Sequence, residues 1–388
     1  MAAERIYLDW NATAPLMGVA RDAMVEALAM PGNPSSVHAE GRAARAAIEK
    51  ARRDVAALVM ADPAHVTFTA SATEAANHVL SPVYRMGKSR VTLGRLYVSA
   101  IEHPAVRAGG RFAADAVSEI PVTRTGVIDL DALSSTLAAH DLSAGLPLVA
   151  VMLVNNETGI IQPIQEIFAV VKKSGGLLVV DAVQAVGRIP LSISELGADF
   201  LILSAHKLGG PKGVGALVSR GETLMPEPLV RGGGQEKGHR AGTENLAAIA
   251  GFGAAAREMA AGLVERNAHV AALRDRAEQA MLSVAPDTVI YGRGEARVGN
   301  TSFFHLPGLK AETGQIAFDL EGVALSAGAA CSSGKVGASH VLTAMGEHAA
   351  TGALRLSIGT DTTDSDIDRF LGAFAKIAAR RKPAGQAA

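Results

Sequence analysis

The sequence predicts an α/β protein, with a large domain built on a mostly parallel sheet and a smaller α+β domain beside it. Three observations carry that prediction. Short apolar runs alternate with helical patterns from about residue 17 to 255, the spacing of repeated βαβ units. The run Phe200 to Leu203 is apolar at every position, as a strand covered on both faces must be. Past Pro286 the pattern changes to short strands around 289–291, 300–305 and 354–358, mixed with helices over 311–320 and 367–380.

In chain order, residues 1–15 are assigned to the small domain, 16–255 to the large one, and 256–388 to the small one again. A helical pattern from Leu246 to about Val284 carries the charge pairs Arg257/Glu258, Glu265/Arg266 and Asp275/Arg276, and predicts one long helix connecting the two. The chain of 388 residues is 48% hydrophobic, enough for the core such a division needs. With 37 Lys and Arg against 38 Asp and Glu, the net charge is -1, so the basic footprint of a nucleic-acid binder is missing. Glu4, Arg5 and Asp9 interrupt any leading apolar stretch and no apolar run has membrane-spanning length, so the chain reads as cytoplasmic, with no membrane partner. The single cysteine, Cys331, excludes an internal disulfide and leaves three readings: a buried filler, a surface accident or a reactive thiol.

Five strands of the large domain run into polar residues. The first enters "ASATE", where Thr73 and the backbone around Ala72 begin a helix whose free N–H groups suit an anion. The others end on Glu102 and His103, on Asn155, Asn156 and Glu157, on Asp181 with Gln184 at the start of a following helix, and on Ser204, His206 and Lys207. Each has an ordinary reading as a cap, a turn or a packed histidine. Collected on one sheet edge, they describe a cofactor pocket. A phosphate, a basic ring nitrogen, a phenolic oxygen and an aldehyde would use them in turn, and pyridoxal phosphate has all four.

The motifs "YLDWNATAPL", "GNPSSVH", "FTASATEAAN", "EHPAV", "VNNETG", "DAVQAVG", "SAHKLGGPKGVGAL", "RGGGQEKGHRAGTEN", "SAGAACSSG" and "LRLSIG" occur in the order and near the spacing seen in cysteine desulfurases. The chain thus resembles that branch of the class V aminotransferase-like group, from near its start to about Asp361. The resemblance implies a pyridoxal-phosphate-dependent transferase fold of the aspartate aminotransferase type. It implies that Lys207 holds the cofactor and serves as base, Asp181 pairs with the ring nitrogen, Gln184 and Asn156 bond the phenolic oxygen, and His103 lies against the ring and moves protons. Ala72, Thr73, Ser204 and His206 would hold the phosphate together with Thr243 from a second subunit of a homodimer. The glycine-rich loop around Thr243 also reads as a simple lid. Arg355, with Asn156, would bind the substrate carboxylate.

Cys331 would take sulfur from L-cysteine as a persulfide, releasing alanine, and pass it to an acceptor or iron–sulfur scaffold protein. No structural metal is expected, only transient iron–sulfur ligation by Cys331. Two departures stand out: Trp10 before Asn11, expected to reshape the site entrance, and Ala327 where a serine is usual. A selenocysteine lyase or other small-amino-acid enzyme of the group, and a non-catalytic sulfur-carrier scaffold, remain open at this point.

Overall fold

The computed structural model describes residues 5–328, 339–347 and 352–381. Its strands are β1 (Ile6–Tyr7), β2 (Val66–Thr69), β3 (Val83–Met86), β4 (Ser89–Ser99), β5 (Val117–Ile120), β6 (Leu146–Met152), β7 (Leu177–Asp181), β8 (Phe200–Ser204), β9 (Gly215–Ser219) and β10 (Leu224–Pro226). They continue with β11 (Val289–Tyr291), β12 (Thr301–His305), β13 (Val323–Ala324), β14 (Ser326–Ala327) and β15 (Leu354–Ser357). The large sheet has the order β10-β3-β4-β6-β7-β8-β9-β2, with β5 also pairing β4. Strands β4, β5, β6, β7 and β8 are mutually parallel. Because β9 is antiparallel to both β8 and β2, β2 runs the same way as β8. The carboxyl ends of five polar-ended strands therefore share one edge.

The unbroken apolar runs have a direct cause. Successive residues of β6, β7 and β8 alternate between two hydrophobic clusters, one on each face of the sheet: Val151, Val180 and Leu201 on one side, Ala150, Val179 and Ile202 on the other. Both faces are covered by helices, so neither set of alternating positions can be polar. A second sheet, β11-β12-β15-β14, forms a separate core in which Phe318 stacks on Phe370 with ring centroids 5.5 Å apart. Ile6 and Leu8 belong to this core, and β1 pairs with β13.

The long connecting helix is corrected by the structure. Leu246–Ala260 and Leu263–Val284 are two helices bent by 79°. Gly262 between them takes φ 62°, a left-handed conformation that stops the first helix and starts the second. The first half packs on the helices Gly18–Leu28 and Ala39–Leu58, the second on Asp364–Arg380. Among the described residues no single helix is long and apolar enough to cross a membrane. The helix expected to begin between Asp181 and Gln184 is also absent: Asp181 accepts from Val183 N at 2.9 Å and Gly187 has φ 75°, so the chain turns there instead. The last helix starts earlier than its apolar periodicity suggested, at Asp364, because Thr363 and Asp366 form a reciprocal capping box.

Trp10 does not shape the entrance of the sheet-edge cleft. Its indole is buried and lines a separate cavity with Ile358 and Gly359. A methyl group on Gly359 would fall 2.0 Å from the indole ring, so only glycine fits opposite it. Gly359→Ala should therefore destabilise the protein by about 2 kcal/mol, through overpacking. Urea titration of Gly359→Ala, Trp10→Leu and the double variant tests this: the double variant should lose less stability than the two single losses added together.

Candidate active site

At the carboxyl edge of the large sheet a cleft is lined by residues from every polar strand end. Ala72, Thr73, His103, Asn156, Asp181, Gln184, Ser204, His206, Lys207 and Arg355 all line it. Thr243 does not: it is exposed on the segment after Gly242. Cys331 lies outside the described residues.

The helix Ala72–Val79 opens beside the cleft. Ser71 is its cap, accepting from Glu74 N at 3.1 Å, while Glu74 reaches back to Ala70 N at 3.0 Å. The amides of Ala72 and Thr73 have no acceptor within the helix and suit an anion. A side chain on Gly215 of β9 would sit 2.7 Å from Ala72 N, so glycine there lets the sheet meet the helix start. The Ser-x-x-Glu spacing signals this cap in the sequence, although attention there falls on Thr73.

Lys207 follows β8 through the short turn Ala205–Lys207. Its Nζ donates to the carbonyls of Asn11 at 2.6 Å and Ala12 at 2.8 Å. At the end of β7, burial pushes the Asp181 carboxyl up to about 6, a rise partly offset by the Val183 N–H and by Lys207. His103 accepts from Ala105 N through Nδ1 at 3.1 Å. Burial first, then Lys207 and His340, hold its imidazole down at about 4. It is therefore neutral near pH 7 and carries its proton on Nε2. His206 is held at about 4 mainly by burial, with Lys207 and Lys212 adding to it.

Asn156 is buried with its Oδ1 unpartnered, while its backbone oxygen accepts from Arg355 Nη1 at 2.9 Å. Arg355 Nη2 is paired with Asp9 at 2.8 Å, and its buried Nε is unpartnered. The guanidinium is thus gripped from two sides, with Nε left unpartnered. Asn155, by contrast, closes its own turn by accepting from Glu157 N and Thr158 N.

Sequence reasoning passed over Asn11 as a site residue. Its carbonyl receives Lys207 and Gln184, and its amide donates to Thr301 at 2.9 Å. The position stands inside a recognised motif, but nothing in its local pattern marks a contact with residues 196 positions away. The glycine-rich segment is likewise less loose than its composition suggests. Glu236 forms a two-point pair with the buried Arg52 at 2.7 and 2.8 Å, and Arg240 pairs with Glu74 of the cleft helix at 2.9 Å.

This edge of a mostly parallel α/β sheet, with a lysine, a buried carboxylate and a helix start facing one cleft, defines a cofactor-dependent enzyme. The aminotransferase class-V family model matches residues 6–370, and the chain belongs to that family. It is 40% identical to a cysteine desulfurase of Cereibacter sphaeroides over 95% of this chain and 94% of that one. It is 36% identical to the cysteine desulfurase NifS of Azotobacter vinelandii, over 94% of this chain and 90% of that one. The X-ray structure of a NifS-like protein from Rickettsia africae superposes with a TM-score of 0.86 at 34% identity, covering 97% of this chain and all of the other. The family is pyridoxal phosphate dependent. The residues present fit that group: a lysine, the side-chain amides of Asn156 and Gln184, a carboxylate on β7 and the amides of a helix start all line the cleft and accommodate its parts.

Glu157 is a further buried acid next to the site. Ser339 donates to its Oε2 at 2.6 Å, and a methyl group on Gly328 would lie 2.9 Å from the same oxygen. Burial pushes the carboxyl up to about 7, with Ser339 and Arg355 opposing the rise. An acid raised in the folded state is stabilising in its protonated form, and that contribution is lost as pH climbs through about 7. Glu157→Gln abolishes the loss, so the stability of the variant relative to wild type should improve from pH 5 to pH 8 by roughly 3 kcal/mol. Denaturant melts at the two pH values measure it; an unchanged difference would contradict it.

Proposed function

We propose that this chain is a cysteine desulfurase: L-cysteine gives up its sulfur to Cys331 as a persulfide and leaves as L-alanine. The observation that carries this reading is the convergence of Lys207, Asp181, His103, Asn156 and Arg355 on one cleft, in a chain whose relatives are cysteine desulfurases over nearly its full length. The persulfide serves iron–sulfur cluster assembly or other sulfur-containing products. The same reading includes a homodimer, a sulfur-acceptor or scaffold partner and a cytoplasmic location.

Bound pyridoxal phosphate supplies an electron sink that eases loss of a proton from the substrate Cα and cleavage of the carbon–sulfur bond. Lys207 would hold the cofactor through Nζ and would take the Cα proton of the substrate. Asp181 would hold a negative charge for the ring nitrogen, and Asn156 and Gln184 would orient the phenolic oxygen. Ala72, Thr73, Ser204 and His206 hold the phosphate, with Thr243 of the second protomer closing that end. His103, neutral by burial, gives and receives protons through Nε2. Arg355 orients the substrate carboxylate.

The Cys331 thiolate then attacks the substrate sulfur. A sulfur–sulfur bond forms, the carbon–sulfur bond breaks with its electron pair going to carbon, and a proton added at Cβ together with a proton returned to Cα completes alanine.

Purified protein should be yellow, and Lys207→Ala should abolish its visible band. With L-cysteine and a reductant it should yield alanine and sulfide in equal amounts. Cys331→Ala should keep the colour and lose both the persulfide and sulfide release. A wild type that stays colourless after pyridoxal phosphate is added would overturn the reading, and wild-type turnover by Cys331→Ala would replace it with a lyase that needs no protein thiol.

The dimer is tested separately. Inactive Thr243→Ala and Lys207→Ala chains, mixed and allowed to exchange subunits, should regain about one functional site per mixed dimer. An active monomer with full cofactor affinity would exclude the shared site.

A further inference from the structure

Arg188 sits on the turn that follows β7 and is buried. No carboxylate lies within ion-pair distance of it among the described residues. Burial first and Arg355 second push its guanidinium down to about 9, so it still carries its charge near pH 7. Nη1 donates to the Gln184 backbone oxygen at 3.1 Å and also to the Gln184 Oε1. With Oε1 taken, the amide has one orientation: its Nε2 donates to the Asn11 carbonyl at 3.0 Å, which leaves a second Nε2–H to donate, on a residue that lines the cleft. An arginine buried without a counter-charge is costly unless something nearby repays it.

We propose that Arg188 is a positioning residue that locks the Gln184 amide with its N–H toward the phenolic oxygen of pyridoxal phosphate and sets a fixed positive charge behind it. The proposal rests on the reading that the cleft holds that cofactor with Gln184 at its phenolic oxygen. The charge acts through the polarised amide and favours the form of the bound cofactor that carries one proton fewer.

The test is a pH titration of the visible band of the holoenzyme without substrate. His103, His206, Asp181, Lys207 and Arg355 also face the cleft, and they are the same in wild type and variant, so a difference between the two curves reports Arg188. Arg188→Met should raise the midpoint by about one pH unit. Arg188→Lys, which keeps the charge, should stay near wild type. Gln184→Met should shift the midpoint too, and adding Arg188→Met to it should move the midpoint little further.

Should Arg188→Met not fold, Arg188→Gln is read in the same way. A second measurement covers a band whose midpoint falls outside the working range. Wild-type apoprotein should prefer pyridoxal phosphate over its analogue lacking the phenolic oxygen, and the Arg188 variant should lose about tenfold of that preference, whereas a purely structural defect weakens both ligands alike. A yellow variant with unmoved midpoint and unchanged preference overturns the inference alone. A wild type that binds no cofactor overturns the reading beneath it.

Discussion

The site depends on one short stretch of backbone, residues 9–13, threaded between the two cores. Asp9 pairs with Arg355, the Asn11 carbonyl accepts from both Lys207 and Gln184, and the Asn11 amide ties Thr301 of β12 to the backbone of Asn156. Asn300 donates to Asn11 Oδ1 at 3.0 Å, so the small side chain is used at each of its polar atoms. Residues from both cores therefore meet through a segment whose one large apolar side chain, Trp10, is buried against Gly359. Its place is fixed also by Leu8, directly before it, which is buried in the second core and anchored there by backbone pairing. Hydrophobic burial at Ile6 and Leu8 thus determines where the polar contacts of Asn11 fall.

Burial also sets the charge state of the cleft. It drives His103 and His206 down to about 4 and Asp181 up to about 6. Glu102 is fully buried next to His103; burial raises its pKa well above the ordinary carboxylic value, against the opposing Met152 N–H, and Asp181 adds to the rise. Its Oε1 accepts from Met152 N at 2.8 Å while Oε2 is buried with no partner. One physical cause, loss of water, therefore acts with opposite sign on acids and bases and leaves both closer to neutral than they would be in solution.

Much of this was legible in the sequence because it depends on local pattern. The uninterrupted apolar residues of β8 require a strand covered on both faces, and Lys207 directly after it falls on the functional edge by topology alone. Ala311–Leu320 has the predicted bounds for the same reason, since a periodic face declares itself within a few turns. What was not legible depends on distant partners. The break at Gly262 needs the two halves to pack against different cores, which periodicity alone cannot reveal because both halves are helical. Trp10 was assigned to the entrance from its neighbours in sequence, whereas its position is decided by Gly359, far along the chain. Asn11 failed to register for that reason as well.

The glycine-rich segment joins these considerations to the chemistry. Its composition reads as a lid, yet two of its charged residues are anchored in the body of the protein. Glu236 has φ 46° and Lys237 φ 57°, left-handed conformations that a non-glycine side chain rarely adopts. Such strain persists only where surrounding contacts over-determine it, and here the contacts are the buried Arg52 pair and the Phe68 N–H, which donates to Glu236 at 2.8 Å. Arg52 in turn lies over the Phe68 ring, 4.9 Å from its centroid. The segment is thereby held against β2 at one end and, through Arg240 and Glu74, against the helix that opens on the cleft at the other. Thr243 follows three residues later, exposed and projecting from an anchored base. A residue presented in that way is suited to meeting a second molecule across a surface, since the chain beneath it is already ordered and little conformational freedom is left to lose.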